Sequence, residues 1–282
     1  MCGIFGYINY GNFLSNSQAA EIYSAFAEVC IVRGAHAAGI AYFAAGKLHT
    51  KKDSTDLVKA GFSYPPDTKI LNAHCRLSIQ KNYFCNENNH PFCGQTLNGT
   101  RYAAEHNGIF MNLRELRRRF NVPETNISTD SYFIVQLLDT KQCLSRRTLK
   151  EVCETLQGSF VFTVLDDKGN FYICRGDVPV YVIHFKKWKL YVYISTRDLF
   201  DQAAALTFLW NSYQTSNLES SKSEVYLVPI HKGTIIGISP DGELTRETFI
   251  FQDDKVIKHN WYRHEITETD ELKEQLANLN NE

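Results

Sequence analysis

The second residue of the chain, Cys2, has the chemistry of a nucleophile. The thiolate is the form that attacks, and a free cysteine has a pKa of about 8.5. Removal of the initiator methionine would give Cys2 a free α-amino group, whose pKa of about 7.7–8.0 lets it act as a base near neutral pH. One residue would then carry nucleophile and base, with a water relaying the proton. The dipeptide could also arise by chance, so this interpretation depends on the rest of the chain.

A second group of reactive side chains offers thiolate and imidazole groups to a metal: Cys75, Cys85, His90 and Cys93. Structural zinc sites usually consist of two closely spaced pairs, whereas this run has at best one loose pair. A chain of 282 residues in a reducing compartment does not need disulfides, and its eight cysteines include no CxxC pair. We therefore expect no metal site and interpret the cysteines as buried free thiols.

The composition is typical of a globular protein with neither a membrane nor a nucleic-acid role. Hydrophobic residues make up 44% and charged residues 22% of the chain, and the net charge of −1 gives no field that would attract nucleic acid or an acidic membrane. No apolar run reaches the roughly 18 residues of a bilayer span, and the N-terminus lacks a secretory signal. We expect a cytoplasmic protein, and we interpret the basic run RELRRRF as a solvated helix face.

The reactive residues must be positioned by strands and helices, which the spacing of apolar residues predicts. AAGIAYFA and GKLHTKK indicate a hairpin, four strands run from GSFVFTVLDD to LYVYISTR, and a further strand pair follows. Helices that cluster between two blocks of strands favour an α+β layered domain over an alternating parallel sheet. The expected helices are NSQAAEIYSAFAEVCIVRG with Ser17 as its N-cap, NLRELRRRF, DSYFIVQLLDT and SRRTLKEVCETLQ.

Six motifs in a fixed order are more specific than any single residue: MCGIFGY, RGAHAAGIA, NAHCRLS, NNHPF, EHNGIFMN and STDSYFI. Over roughly residues 2–245, their order and separations resemble the glutaminase domain of class II glutamine amidotransferases. These enzymes are N-terminal-nucleophile hydrolases that release ammonia from glutamine. The glutaminase half of glucosamine-6-phosphate synthase is the most similar of the better-known relatives, although RLSI resembles asparagine synthetase. The resemblance implies an α+β fold, the four-layer αββα sandwich with two antiparallel sheets between helical layers.

The resemblance implies a catalytic role for three residues. Cys2 attacks the side-chain amide of L-glutamine and forms a γ-glutamyl thioester, which water releases as glutamate. Its amino group takes the thiol proton and returns a proton to the departing ammonia. The side-chain NH2 of Asn107 and the backbone N–H of Gly108 form the oxyanion hole, where the loss of one donor typically costs about 2.7–4 kcal/mol.

The resemblance also implies how glutamine is recognised. Arg76 binds the α-carboxylate, because a planar guanidinium matches two oxygens in a way that lysine cannot. Asp130 pairs with the α-ammonium group, so the two charges select free glutamine. His106 and Leu77 are assigned to the substrate-binding residues as well. Neither a metal nor a cofactor takes part in this chemistry.

Each of these residues also has a simpler interpretation. Arg76 alone would suit a surface position, Asp130 could cap the helix that begins SYFI, and HNG suits a hairpin turn. Arg33 and Gly34 could be a helix C-terminus with its glycine. The joint order of the motifs is what favours the catalytic roles. Individually, four histidines are expected to be packed or hydrogen-bonded rather than to transfer protons: His36, His74, His90 and His106.

Two departures from the family pattern concern the surroundings of the site. His36 stands where relatives often carry aspartate or glutamine, which changes a supporting contact. After Arg76 the run LSIQKNYF replaces a threonine and a histidine–glycine pair of the synthase-like relatives. Because that region covers glutamine in the family, we expect the loop to differ here.

The predicted glutaminase domain spans residues 2–250, and residues 251–282 form an acidic, polar tail that we expect to be helical. The tail could dock a partner or pack on its own domain. In relatives a synthase, isomerase or phosphoribosyltransferase domain would follow, so we expect ammonia to pass to a separate acceptor, a synthase or transferase.

Two other functions stay open at this point. One is a stand-alone N-terminal-nucleophile hydrolase that acts on a γ-glutamyl compound or another small amide. The other is a non-enzymatic glutamine sensor. The sensor is disfavoured because it would need neither the thiol of Cys2 nor the oxyanion donors Asn107 and Gly108.

Overall fold

Two antiparallel β-sheets carry the residues of interest in a computed structural model that describes residues 2–78 and 82–252. In chain order the strands are β1 (Gly3–Asn9), β2 (Ala37–Ala44), β3 (Lys47–Asp53), β4 (Ile70–Arg76), β5 (Phe92–Gln95), β6 (Arg101–Phe110), β7 (Gly158–Asp166), β8 (Phe171–Arg175), β9 (Tyr181–Phe185), β10 (Leu190–Ile194), β11 (Val225–Leu227), β12 (Thr234–Ile238) and β13 (Leu244–Thr248). The helices are α1 (Asn16–Cys30), α2 (Leu57–Ala60), α3 (Leu113–Phe120), α4 (Tyr132–Leu138), α5 (Arg146–Thr155), α6 (Arg197–Ala204) and α7 (Trp210–Gln214).

The strand order places the start of the chain in the middle of a sheet. Within the described ranges the first sheet has seven strands in the order β11-β9-β10-β1-β4-β2-β3. The second has six, in the order β13-β12-β8-β7-β6-β5. Strand β1, which begins directly after Cys2, therefore pairs on both edges, with β4 and β10. Strand β6, which carries Asn107 and Gly108, pairs with β5 and β7 in the other sheet.

Helices cover the outer face of each sheet, because both faces of each sheet are apolar and must be buried. On the first sheet, Phe26 of α1 and Phe200 of α6 meet edge to face, with 5.6 Å between ring centroids. Phe133 of α4 and Leu149 of α5 lie in the apolar cluster of the second sheet. A third cluster, which includes Ile4 and Val161, fills the space between the sheets. This order of layers confirms the predicted α+β fold, a four-layer αββα sandwich.

Helix α1 begins with a capping box at Ser15, so the prediction of Ser17 as N-cap was wrong. The Ser15 hydroxyl accepts a hydrogen bond from the Gln18 amide at 3.2 Å, and Gln18 Oε1 accepts one from the Ser15 amide at 2.9 Å. Ser15 has a glutamine three residues later, as the capping box requires, whereas Ser17 does not. Ser17 lies inside the helix.

The other differences from the predicted elements lie at turns and helix ends. HNG is part of strand β6 and not a hairpin turn. Gly34 is extended, with φ −179°, and is not a left-handed helix cap. Helices α2, α6 and α7 were not predicted. The N-cap of α6 is Thr196, whose hydroxyl accepts from the Leu199 amide at 3.4 Å. The hairpin of β2 and β3 and helices α1, α3, α4 and α5 are confirmed.

The prediction that the cysteines are buried thiols was wrong for part of the set. Four free cysteines are buried: Cys30, Cys75, Cys153 and Cys174. Three are exposed, because they lie in loops or on the edge strand β5: Cys85, Cys93 and Cys143. In the part of the chain that the structure describes, no group of three or more histidine, cysteine or acidic side chains could hold a metal ion.

Residues up to Phe251 form one compact unit. The predicted C-terminal tail, residues 251–282, falls almost wholly on positions 253–282, which lie outside the described residues. Among the described helices, none is long and apolar enough to span a bilayer.

Candidate active site

Cys2 lies at the entrance to β1, where other parts of the chain hold both its thiol and its backbone. The Leu77 amide lies 3.4 Å from Cys2 Sγ, and the Leu77 carbonyl oxygen lies 3.6 Å from the same sulfur. The Arg33 Nε donates to the Cys2 carbonyl oxygen at 2.9 Å. One residue into the strand, the Ile4 amide donates to Ser195 Oγ at 2.9 Å. Leu77 therefore contacts the thiol, and Arg33 and Ser195 hold the backbone beside it.

Burial raises the pKa of the Cys2 thiol above its ordinary value. The Leu77 amide and the positive charge of Arg76 act in the opposite direction, and the negative charge of Asp130 adds to the rise. Because burial dominates, the thiol holds its proton at neutral pH, and a base must remove that proton before Cys2 can attack.

Arg76 ends strand β4 next to Cys2 because Gly3 pairs with Cys75 in the antiparallel register. Its side chain is only 5% exposed. The guanidinium donates to Asn89 Oδ1 through one nitrogen, and through the other to Asn82 Oδ1 at 2.5 Å and Thr129 Oγ1 at 2.9 Å. Burial lowers the pKa of Arg76, but the guanidinium remains a cation because arginine starts above about 12. The site therefore holds a fixed, buried positive charge.

Asp130 holds the end of strand β6 rather than capping α4. Its Oδ2 accepts from the Phe110 amide at 2.9 Å, whereas Ser131 occupies the N-cap position of α4. Burial raises the pKa of the Asp130 carboxyl, and the amides of Phe110 and Ser131 and the charge of Arg76 oppose the rise. The charge of Asp130 acts on both Cys2 and Arg76, so these three groups belong to one electrostatic cluster.

Asn107 and Gly108 lie side by side on β6, opposite Val161 and Phe160 of β7. The Asn107 side chain is 1% exposed, and neither Oδ1 nor Nδ2 has a hydrogen-bond partner among the described residues. Such a buried amide is rare in a folded protein, because an unpaired polar group is costly. The amide is therefore available to a bound ligand.

Gly108 adopts φ +142°, a backbone conformation that favours glycine. A Cβ at this position would lie 1.9 Å from the Ser159 carbonyl oxygen and 2.8 Å from Phe160 Cα. No side chain can be accommodated there without separating β6 from β7. The glycine thus lets the backbone next to Asn107 approach its neighbour closely.

His106 and Leu77, assigned to substrate binding by the resemblance, have different positions. The His106 ring is buried, lies 2.7 Å from Ser131 Oγ through Nδ1, and stacks on Phe110 with 4.2 Å between centroids. Side chains alternate along a strand, so this ring points to the face opposite Asn107. Leu77 is 38% exposed and reaches Cys2 through its backbone. Substrate contact by either residue stays a prediction.

The structure adds residues to which the sequence reasoning gave no role in the site. Arg33 was interpreted as a helix terminus, but it binds the Cys2 carbonyl. Three polar side chains surround the Arg76 guanidinium: Asn82, Asn89 and Thr129. Arg33, Asn89 and Thr129 fall inside the motifs RGAHAAGIA, NNHPF and STDSYFI, so the signal was present in the sequence.

Known proteins are similar to parts of this chain. Residues 74–198 match the family model of the glutamine amidotransferase domain. A glutamine–fructose-6-phosphate aminotransferase (isomerizing) of Staphylococcus epidermidis is 33% identical over 193 residues, which are 64% of this chain and 30% of that protein. The 7-cyano-7-deazaguanine synthase 2 of Sulfurisphaera tokodaii is 31% identical over 112 residues, 39% of this chain and 24% of that protein. The chain thus spans less than a third of the length of these curated relatives.

A solved structure shares the fold. The glutamine phosphoribosylpyrophosphate amidotransferase of B. subtilis, complexed with ADP and GMP, superposes with a TM-score of 0.67 at 18% identity. The match covers 89% of this chain and 50% of that one. Residues 74–198 therefore belong to a glutamine amidotransferase domain, and the two sheets have the fold of the N-terminal-nucleophile hydrolases.

Proposed function

We propose that this domain hydrolyses the side-chain amide of L-glutamine through a γ-glutamyl thioester on Cys2. The observation that carries the proposal is the buried, unpartnered amide of Asn107, which adjoins a glycine with an exceptional backbone conformation. A preorganised donor pair of this kind stabilises the anion that forms when a nucleophile attacks a carbonyl.

The proposed reaction has two steps, the formation of the thioester and its hydrolysis. The Cys2 thiol gives its proton to the α-amino group that methionine removal exposes, and the thiolate adds to the amide carbon of glutamine. Asn107 Nδ2 and the Gly108 amide hold the resulting oxyanion. The carbon–nitrogen bond then breaks, the amino group returns its proton to the leaving nitrogen, and ammonia departs. In the second step water adds to the thioester, the carbon–sulfur bond breaks, and glutamate and the thiol are restored.

Two buried charges would select glutamine. Arg76 would bind the α-carboxylate, exchanging some of its present partners Asn82, Asn89 and Thr129 for the substrate's oxygens. Asp130 would bind the α-ammonium group, because burial makes an ion pair there stronger than it would be in water. An amide that lacks either group at its amino-acid end would leave one buried charge unpaired, which disfavours binding.

We also propose that the ammonia passes to a separate acceptor enzyme, a synthase or transferase. The curated relatives of Staphylococcus are named aminotransferases, and the part of them that this chain matches is 30% of their length. Ammonia is mostly protonated at neutral pH and then cannot attack an acceptor, so direct transfer is advantageous. We further propose residues 2–250 as the glutaminase domain and residues 251–282 as the segment that docks the acceptor.

The test is an intact-mass measurement after incubation with 6-diazo-5-oxo-norleucine, a reactive glutamine analogue. We expect loss of the initiator methionine and one covalent adduct, which peptide mapping assigns to Cys2. The exposed cysteines at positions 85, 93 and 143 are internal controls for non-specific alkylation. Cys2→Ala should remain unlabelled, and Arg76→Lys should be labelled more slowly. A chain that retains methionine, or that is labelled equally at the exposed cysteines, would contradict the proposal.

A further inference from the structure

Glu105, two residues before Asn107 on β6, has a buried carboxyl to which no role has been assigned. The side chain is 0% exposed, and neither carboxyl oxygen has a hydrogen-bond partner in residues 2–78 and 82–252. Burial raises the pKa of Glu105 well above its ordinary value, so the group is a neutral carboxylic acid at neutral pH. A carboxylic acid has one O–H donor to offer, and this one is unused.

The polar side chain opposite Glu105 already forms hydrogen bonds with its own neighbours. Glu105 lies opposite Thr163 on β7. The Thr163 hydroxyl lies 3.0 Å from Asn72 Nδ2, and the Tyr193 hydroxyl donates to Asn72 Oδ1. These three side chains therefore do not need the Glu105 donor.

Two acceptors in the same region, Asn107 Oδ1 and His74 Nδ1, are unsatisfied among the described residues. Asn107 lies two residues further along β6, so its side chain shares the inner face of the sheet with Glu105. Its Oδ1 lacks a donor within the described part of the chain. His74, from the facing sheet, reaches the His106 carbonyl at 3.0 Å through Nε2, between Glu105 and Asn107 along the strand.

The tautomer of His74 follows from that contact. A carbonyl oxygen only accepts, so His74 Nε2 carries the proton, and burial lowers the pKa of the ring to about 3, which keeps it neutral. Its Nδ1 is then a bare acceptor, and it too has no partner among the described residues. Glu105 therefore has an unused donor, and Asn107 and His74 have unused acceptors, on the inner side of the same stretch of β6. A buried water typically makes two to four hydrogen bonds to groups of this kind.

We propose that Glu105 is a positioning residue for Asn107. This inference rests on the proposed function. Through one buried water, the acid O–H of Glu105 supplies the hydrogen bond that Asn107 Oδ1 requires. The amide is then fixed with Oδ1 toward the interior and Nδ2 toward Cys2, which is the orientation that an oxyanion donor needs.

The kinetic test compares Glu105→Leu with Glu105→Gln. Glutamine retains a donor, so Glu105→Gln should keep kcat within about threefold, whereas Glu105→Leu should lower kcat about tenfold and leave KM within about twofold. This loss is smaller than the roughly 100- to 1,000-fold expected when an oxyanion donor itself is removed. In an Asn107→Ala background, Glu105→Leu should have no further effect on kcat. Equal losses in both Glu105 variants, or a full additional loss beside Asn107→Ala, would overturn the proposal.

Thr163→Val is the matched control, because it removes a buried hydrogen bond in the same layer without touching Asn107. It should lower the melting temperature and leave kcat unchanged. An equal fall in kcat would mean that any polar loss in this layer disturbs the site, which would overturn a specific role for Glu105.

A spectroscopic readout separates this proposal from the proposed function, because it needs no turnover. The infrared difference spectrum between wild type and Glu105→Gln at neutral pH should contain the carbonyl stretch of one protonated carboxylic acid. That band should shift in Asn107→Ala if the two groups share a hydrogen-bonded water, and stay in place in Thr163→Val. If the wild type is not labelled on Cys2 but the band shifts, the proposed function fails and the coupling stands. A band that is absent, or unmoved by Asn107→Ala, would overturn the coupling whatever the activity.

Discussion

Replacement of Gly108 by alanine tests whether the close approach of β6 and β7 supports both stability and the oxyanion hole. Gly108 has φ +142°, and its added Cβ would lie 1.9 Å from the Ser159 carbonyl oxygen. Gly158 is a matched control in the same pair of strands. It has φ +136°, and a Cβ there would lie 2.1 Å from the Ile109 carbonyl oxygen.

The expected loss of stability is similar for the two variants. A non-glycine residue in a sparsely populated backbone region costs about 1–3 kcal/mol, and forced overpacking typically adds about 1–3 kcal/mol. Partial relaxation of the strands reduces the sum to about 3 kcal/mol of free energy of unfolding, which in a domain of this size lowers the melting temperature by roughly 6–12 °C.

The effect on chemistry should differ between the variants. Gly108→Ala displaces the backbone N–H that is proposed to bind the oxyanion, so its labelling by the glutamine analogue should be roughly 100-fold slower. Gly158→Ala should lose much less, because its N–H has no part in the proposed mechanism. The assay combines thermal unfolding with labelling rates measured well below both melting temperatures. Equal labelling rates, or an unchanged melting temperature for Gly108→Ala, would refute the reasoning.

Three further predictions concern the groups around the site. Arg33→Ala removes the hydrogen bond to the Cys2 carbonyl and should slow labelling about three- to tenfold; an unchanged rate would contradict an anchoring role. Asp130→Asn keeps an acceptor for the Phe110 amide but removes the charge, so steady-state kinetics should show KM for glutamine raised roughly 10- to 100-fold with a smaller change in kcat. Glu105→Gln should raise the melting temperature at pH 7 but not at pH 4. The raised pKa of the folded acid means that wild type loses stability as pH rises above the unfolded value of about 4.3. A difference that does not vary with pH would refute this.

The candidate site residues could be predicted from motif order, but their distribution over the two sheets could not. Cys2 and Arg76 belong to one sheet, whereas Asn107 and Gly108 belong to the other. No local spacing rule links strands of different sheets, because their contact depends on how the sandwich closes. The roles remain predictions, while the αββα layers that carry the residues follow from the strand and helix pattern together with the family resemblance.

Several errors had local causes. The capping box of Ser15 and Gln18 is present in the sequence and is a more specific helix-start signal than the hydroxyl of Ser17 alone. Helix α6 was missed because its cap, Thr196, directly follows a strong strand. HNG suited a turn, but pairing along β7 overrides that preference, since a long ladder of backbone hydrogen bonds outweighs local turn chemistry. Cys85 is exposed because it lies in a loop and Cys93 because it lies on the edge strand β5, and residue type determines neither position.

The central position of β1 has a consequence for the biosynthesis of the enzyme. The Ile4 amide is held by Ser195 Oγ, which lies 191 positions later in the chain, and β10, just before Ser195, forms one edge partner of β1. Translation adds roughly 5–20 residues per second, so about 10–40 s separate the synthesis of Cys2 from that of Ser195. During this time the first residues emerge without the strand that will fix them. Cys2, the candidate nucleophile, is therefore synthesised before every other residue of the candidate site and is among the last of them to be held in place.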